Sequence, residues 1–334
     1  MSSRSVSRRA ALAAGLGGLA APALRPLAGA AQGTPVPAPV KVTVALDWYP
    51  NANHAGLFLA QERGWFADEG IEVDLYTPAD PTTVLQTVGA GKDTFGISYQ
   101  TDVLLARAQE IPVVSVAAIA QQPLQGIMVL ESSGITRPAD LKGKTVGYPG
   151  IPSQEAFLAT MLANDNLTMG DVDLVNVGFD LTPALVSGRA DAALGAFWTH
   201  ETIVAERAGY PVAMLKVEDF GVPSYYELVL VAAEKTVSDD PDLVTRFLRA
   251  AARGYEAAAA DPEAAIDALA KASPDLDRDV ETEGIALVIP TWTDGDVAFG
   301  TQTAERWNDY AEWMAARGLI PADLDATKAF VAMD

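Results

Sequence analysis

Compact runs of β-branched and apolar residues alternate along the chain with stretches whose apolar positions recur every three or four residues. Lys41–Leu46 (KVTVAL) reads as a strand, and Ile71–Tyr76 alternates in the manner of a half-buried strand. Between them, His54–Glu69 sets Leu57, Phe58 and Trp65 on one helical face, with Gly64 and Gly70 as breaks near its end. Thr82–Val88 is expected to be helical and to end at Gly89 or Gly91. Thr94–Ser98 follows as a short strand, Asp102–Gln109 as a helix and Pro112–Ile119 as a buried strand. This β-α-β-α-β-α-β order predicts a mostly parallel sheet with helices on both faces.

The pattern then restarts. Gly126–Leu130, Thr145–Tyr148, Leu174–Val177, Ala192–Ala196 and Val212–Leu215 have strand character, with Ser153–Asn164 as an intervening helix. Tyr226–Ala232 (YELVLVA) is a further strand, and beyond it the periods are helical: Asp240–Ala260, Pro262–Ala272, Arg278–Ile289 and Gln302–Arg317. Asp240-Pro241 and Asp261-Pro262 supply an N-cap followed by a proline in the first turn. The chain is therefore expected to be an α/β protein of two lobes. Residues 41–125 and 231–334 form the first, with a helical C-terminal tail, and 131–222 the second. Crossovers lie near 125–130 and 223–231, and the cleft between lobes is lined by loops at strand ends.

A length of 334 residues accommodates that division. Composition narrows the chemistry. With 44 acidic and 23 basic residues the formal charge is −21, which repels phosphate backbones and argues against nucleic acid as a partner. The absence of cysteine excludes disulfides, thiolate metal sites and cysteine nucleophiles. His54 and His200 are too few for a three-histidine metal centre, so neither a metal nor a cofactor is expected. At the N-terminus, Arg4, Arg8 and Arg9 precede a weakly apolar stretch at 10–24 and an Ala28-Gly29-Ala30 cleavage pattern. Residues 1–30 thus read as an export signal, with Ser7-Arg8-Arg9 resembling a twin-arginine signal. The expected product is an exported, soluble, monomeric protein of the periplasm or extracytoplasmic space without a lipid-anchoring cysteine.

Four segments carry a more specific signal. Leu46–Trp65 (LDWYPNANHAGLFLAQERGW) resembles the first strand, loop and helix of solute-binding proteins in the family shared with fungal thiamine-pyrimidine synthases. Gly89–Gln100 (GAGKDTFGISYQ), Arg137–Gly147 (RPADLKGKTVG) and Leu185–Ala193 (LVSGRADAA) are similar to marked turns of the same proteins. The resemblance implies a type II-like periplasmic-binding-protein fold, an ABC importer with permease subunits as partners, and a pyrimidine precursor of thiamine as cargo. Riboflavin or another aromatic heterocycle is the alternative within that class. The fungal synthases resemble this chain in the N-x-N-H loop but also carry a cysteine-rich iron segment. This chain has no cysteine, so binding rather than synthesis is implied.

Six loops are expected at strand ends facing the cleft: Asp47–His54, Ser98–Asp102, Gln121–Gln125, Tyr148–Gln154, Phe197–Glu201 and Val222–Glu227. None contains Lys or Arg, the usual partners of an oxyanion. Aromatic faces, amides and carboxylates suit instead a flat, amine-bearing heterocycle. The candidate ligand-binding residues are Trp48, Asn51, Asn53, His54, Tyr99, Gln100, Phe197, Glu201, Tyr225 and Glu227, with the family likeness pointing to His54 as a neutral hydrogen-bonding group. Plain alternatives exist for each. Asn51 and Asn53 can shape a turn, His54 can cap its helix, and Asp47 is expected to pin the loop. His200 reads as a surface helix residue, and Trp307, Tyr310 and Trp313 as packing. No G-x-S-x-G, H-E-x-x-H or P-loop pattern supports catalysis.

Overall fold

The structure, a computed structural model, describes residues 38–293 and 297–332; the expected export signal lies outside them. In chain order the strands are β1 (Val40–Ala45), β2 (Ile71–Tyr76), β3 (Phe95–Ser98), β4 (Val113–Ala120), β5 (Gln125–Leu130), β6 (Thr145–Tyr148), β7 (Asp173–Asn176), β8 (Ala192–Phe197), β9 (Val212–Lys216) and β10 (Leu228–Ala233). They form two five-stranded sheets, ordered β2-β1-β3-β10-β4 and β7-β6-β8-β5-β9.

Each sheet is parallel except for one reversed strand. β10 runs antiparallel to β3 and β4 in the first sheet. β5 runs antiparallel to β8 and β9 in the second. The reversal follows from the short link between the sheets. β4 ends at the cleft, and only Gln121–Leu124 separate it from β5. β5 must therefore start where the other strands of its sheet end. The return passes through residues 217–227 before β10. The strand expected at Gly126–Leu130 is β5, so the first crossover is the link Gln121–Leu124, just ahead of the stretch near 125–130 where it was expected.

The core does not stop at the crossovers. Val229 and Val231 of the first sheet, Ile127 and Val129 of the second, and Phe157, Tyr225 and Trp307 belong to one buried apolar cluster. The expected N-caps are in place: Asp240 accepts from the Leu243 N–H and Asp261 from that of Ala264. The period over His54–Glu69 is interrupted. A helix Ala55–Glu62 ends, Gly64 takes φ +73°, and a short turn of helix Trp65–Asp68 follows. The left-handed conformation is open to glycine at little cost.

Helix Pro241–Ala260 packs on Ala55–Glu62 through two glycines. A Cβ on Gly254 would stand 2.1 Å from the Gly56 carbonyl oxygen, and one on Gly56 would stand 2.5 Å from the Tyr255 ring. This close approach brings the Tyr255 hydroxyl to the Asn53 carbonyl, 2.9 Å away, and so fixes the loop after β1. The C-terminal tail covers the edge of the first sheet: Ser115 donates to the Ala329 carbonyl and Ala118 to that of Gly300. Trp307 and Tyr310, on helix Ala304–Ala316, are buried there, with Trp307 stacked on Phe330 at 5.6 Å. Covering an edge strand blocks its pairing with other chains. Among the described residues no helix is long and apolar enough to cross a membrane.

Candidate functional site

The loops after β1, β3, β6 and β8 converge on a small, narrow cavity of about 20 Å³, lined by Asp47, Trp48, Asn51, Asn53, Tyr99, Ile151, Gln154, Gly195, Phe197, His200 and Glu201. None of these described lining residues is Lys or Arg.

The first-lobe wall is built around Asp47. Its carboxylate accepts from the Tyr99 hydroxyl at 2.9 Å and pairs with His54 Nε2 at 2.9 Å. Burial, with the Asp47 charge beside it, raises the Tyr99 phenol well above its ordinary pKa, so it stays a donor. His54 Nδ1 accepts from the Asn51 N–H at 3.2 Å, which leaves the proton on Nε2 for Asp47. Both ring nitrogens of His54 are thereby committed within the loop, and the ring is fully buried behind the cavity. Asn51 is likewise occupied: its Oδ1 accepts from the Asn53 N–H and its Nδ2 donates to the Tyr49 carbonyl. Asn53 differs. Its side-chain Oδ1 is buried, has no hydrogen-bond partner and belongs to a residue lining the cavity.

The second-lobe wall depends on a bulge. Between Gly126/Ile127 of β5 and Ala196/Leu194 of β8 the register slips, leaving Gly195 as the extra residue with φ +88°. A Cβ there would stand 2.1 Å from Gln154 Nε2, so only glycine lets the Gln154 amide lie over the strand. Gln154 is 3% exposed and its Oε1 is unpartnered. Buried polar atoms are rarely left without a partner, and two on one cavity point to a ligand that supplies donors. Glu201 accepts from the Phe197 N–H at 2.8 Å and faces His200 Nδ1 at 2.9 Å. Two carboxylate oxygens have room for further donors. Burial alone would lower the His200 pKa. Charge attraction and hydrogen bonding from Glu201 and Glu281 outweigh it and raise it to about 10, so the ring is an imidazolium at neutral pH.

At the mouth, Trp48 and Tyr49 of the first lobe meet Phe179 of the second, with ring centroids 4.7 and 4.4 Å apart. Three other candidates do not line the cavity: Tyr225 and Glu227 lie at the second crossover, and Gln100 starts the helix after β3. Glu227 accepts from the Leu124 N–H at 2.6 Å, the Tyr225 hydroxyl at 2.8 Å and Gln125 Nε2 at 2.7 Å, tying the two crossovers together. Burial raises its carboxyl to about 7 against the pull of those donors. Tyr225 packs on Phe157 and Tyr310. Gln100 accepts from the Tyr226 N–H at 2.7 Å.

Comparison with known proteins is consistent along the chain. The family described as NMT1/THI5 like matches residues 51–265. A formylaminopyrimidine-binding protein of Halalkalibacterium halodurans is 39% identical over 293 residues, covering 86% of this chain and 89% of its own. The chain belongs to the NMT1/THI5-like family. Also similar is a 4-amino-5-hydroxymethyl-2-methylpyrimidine phosphate synthase of Aspergillus parasiticus, 29% identical over 237 residues, covering 68% of this chain and 69% of its own. The alkanesulfonate-binding protein SsuA from Xanthomonas axonopodis pv. citri, solved bound to MOPS, superposes with a TM-score of 0.70 at 17% identity, covering 88% of this chain and 98% of that one. The fold is the two-lobe periplasmic-binding-protein fold.

Within this NMT1/THI5-like chain the structure adds residues that sequence reasoning did not single out. Gln154 lay in a named loop with nothing to mark it, since its place depends on the bulge at Gly195. His200 read as a surface helix residue, whereas the structure sets it between the buried carboxylates of Glu201 and Glu281. Trp48, Asn51, Asn53, Tyr99, Phe197 and Glu201 are brought together around the cavity, whereas His54, Gln100, Tyr225 and Glu227 stand behind it or at the crossovers.

Proposed function

We propose that this chain is the exported solute-binding component of an ABC importer and that its cavity captures a thiamine pyrimidine precursor of the formylaminopyrimidine type. The observation that supports this most is the lining itself: aromatic walls from Trp48, Tyr99 and Phe197, a carboxylate at Glu201, unpartnered amides at Asn53 and Gln154, and no Lys or Arg. A flat ring gains about 0.5–1.5 kcal/mol per aromatic neighbour beyond burial. An exocyclic amino group donates to Glu201 in a charge-assisted bond. A sulfonate in the same place would face the Asp47 and Glu201 carboxylates, and the one cation on the wall, the His200 imidazolium, is already engaged by Glu201 and Glu281.

Similarity also favours a binder over a synthase, since the 39% identical relative is named for binding and the synthase is more distant. The permease subunits of the importer would be its partners.

A thermal-shift panel of formylaminopyrimidine, hydroxymethylpyrimidine, riboflavin and an alkanesulfonate tests the reading. Stabilisation by a pyrimidine, lost in Glu201→Gln, is expected. Stabilisation by the alkanesulfonate alone, or turnover of pyridoxal phosphate to a pyrimidine product, would replace it.

A further inference from the structure

His200 sits where the lobes meet. Its Nδ1 faces Glu201, in the cavity, and its Nε2 faces Glu281 Oε1 at 3.2 Å, on helix Arg278–Val288 of the C-terminal tail. Glu281 Oε2 in turn accepts from the Ala52 N–H at 2.6 Å, in the loop that carries Asn51 and Asn53. One chain of contacts thus runs from the second-lobe wall, through the imidazolium, to the first-lobe wall. Glu201 is 6% and Glu281 3% exposed, so neither carboxylate is well hydrated. Without the cation between them, two buried carboxylates of opposite lobes would face each other.

We propose that His200 is the positioning residue that latches the two lobes together and so slows release of the ligand, its imidazolium bridging Glu201 beside the ligand to Glu281 on the opposite lobe. This rests on reading the cavity as the ligand site. Closure brings Glu281 to His200, and His200 then holds the Glu201 carboxylate aimed at the ligand's donor. The bridge is also the boundary between two spaces. His200 and Glu281 line a second, outer cleft of about 600 Å³, open to solvent between the lobes, together with Tyr49, Val204 and Leu276. Protons therefore reach the ring from outside while the ligand is enclosed. The other charged groups along that cleft are Arg207, Asp275 and Asp277, with Arg207 paired to Asp279 and Glu283.

The chain has no cysteine, so Glu72→Cys on β2 and Asp173→Cys on β7 provide two spin-label sites, one on an edge strand of each sheet. Without ligand, the interlobe distance at about pH 7 should be short and single, and a longer population should grow as pH passes about 10. Glu281→Gln keeps an acceptor for the Ala52 N–H but cannot pair with an imidazolium. It should show the longer population already at neutral pH, with no further pH response. Its affinity for formylaminopyrimidine should fall about tenfold, through faster dissociation at an unchanged association rate. His200→Gln should behave alike, which a merely structural loss of packing would not reproduce in the pH profile. A distance unchanged both by pH and by Glu281→Gln would overturn the proposal. Because the labels read closure without ligand, failure of every pyrimidine to bind would strike the cargo reading and leave the bridge tested separately.

Discussion

At the scale of single residues, the cavity works by which polar atoms the protein leaves free. Asp47, His54 and Asn51 spend their hydrogen bonds on each other and on the loop backbone. Asn53 and Gln154 keep an oxygen unspent. Asn53→Leu should therefore weaken pyrimidine binding by about 1–2 kcal/mol while hardly changing thermal stability, because it removes an atom without a protein partner; calorimetry alongside melting checks both. Gly195→Ala should fail on both counts. Its φ of +88° strains any side chain, and the new Cβ would displace Gln154. A loss of about 1–3 kcal/mol in urea unfolding is expected, with loss of ligand affinity. The residues around the cavity were legible where they end strands, as at Trp48, Tyr99 and Phe197. A strand end tells which loops face the cleft, but not which side chain of a loop is already engaged. That is why His54, as polar and as well placed in sequence as Asn53, stands behind the wall.

At the scale of elements, the strands and long helices were legible because their period and caps are local properties. Asp240 and Asp261 cap as their Asp-Pro sequences foretell. The bulges were not legible. The slip at Gly195 arises from pairing between β5 and β8, far apart in sequence, and nothing in LGAF announces it. The direct contact of Gly56 with Gly254 is equally non-local. Gly254→Ala sets two effects against each other. Alanine favours an α-helix by about 1 kcal/mol over glycine. Here its Cβ would meet the Gly56 carbonyl oxygen at 2.1 Å, a backbone atom that cannot rotate away. Steric conflict wins, and a net loss of about 1–3 kcal/mol is expected in chemical denaturation. A stabilised variant would show that the two helices can part without cost.

At the scale of the whole molecule, the lobes are joined by a buried acidic knot. Glu227 ties the crossovers, and burial raises its carboxyl to about 7. Burial also raises the Asp102 carboxyl to about 6, against the hydrogen bonds from Ser153 of the other lobe. A carboxyl whose pKa is higher folded than unfolded holds its proton more tightly in the native state. Its contribution to stability therefore falls as pH rises from about 4.5 to 7. Glu227→Gln should remove that slope: the difference in unfolding free energy between wild type and variant should shift by roughly 2–4 kcal/mol across the window, in favour of the variant as pH rises. Equal slopes would mean that Glu227 is as easily ionised folded as unfolded. The central claim, however, concerns the cavity, and titration calorimetry of the purified chain with formylaminopyrimidine tests it most directly. Saturable one-site binding is predicted, abolished by Glu201→Gln and accompanied by a stabilisation of about 2.7 kcal/mol at a hundredfold excess over Kd. No heat with any pyrimidine, together with binding of an alkanesulfonate or of riboflavin, would contradict it.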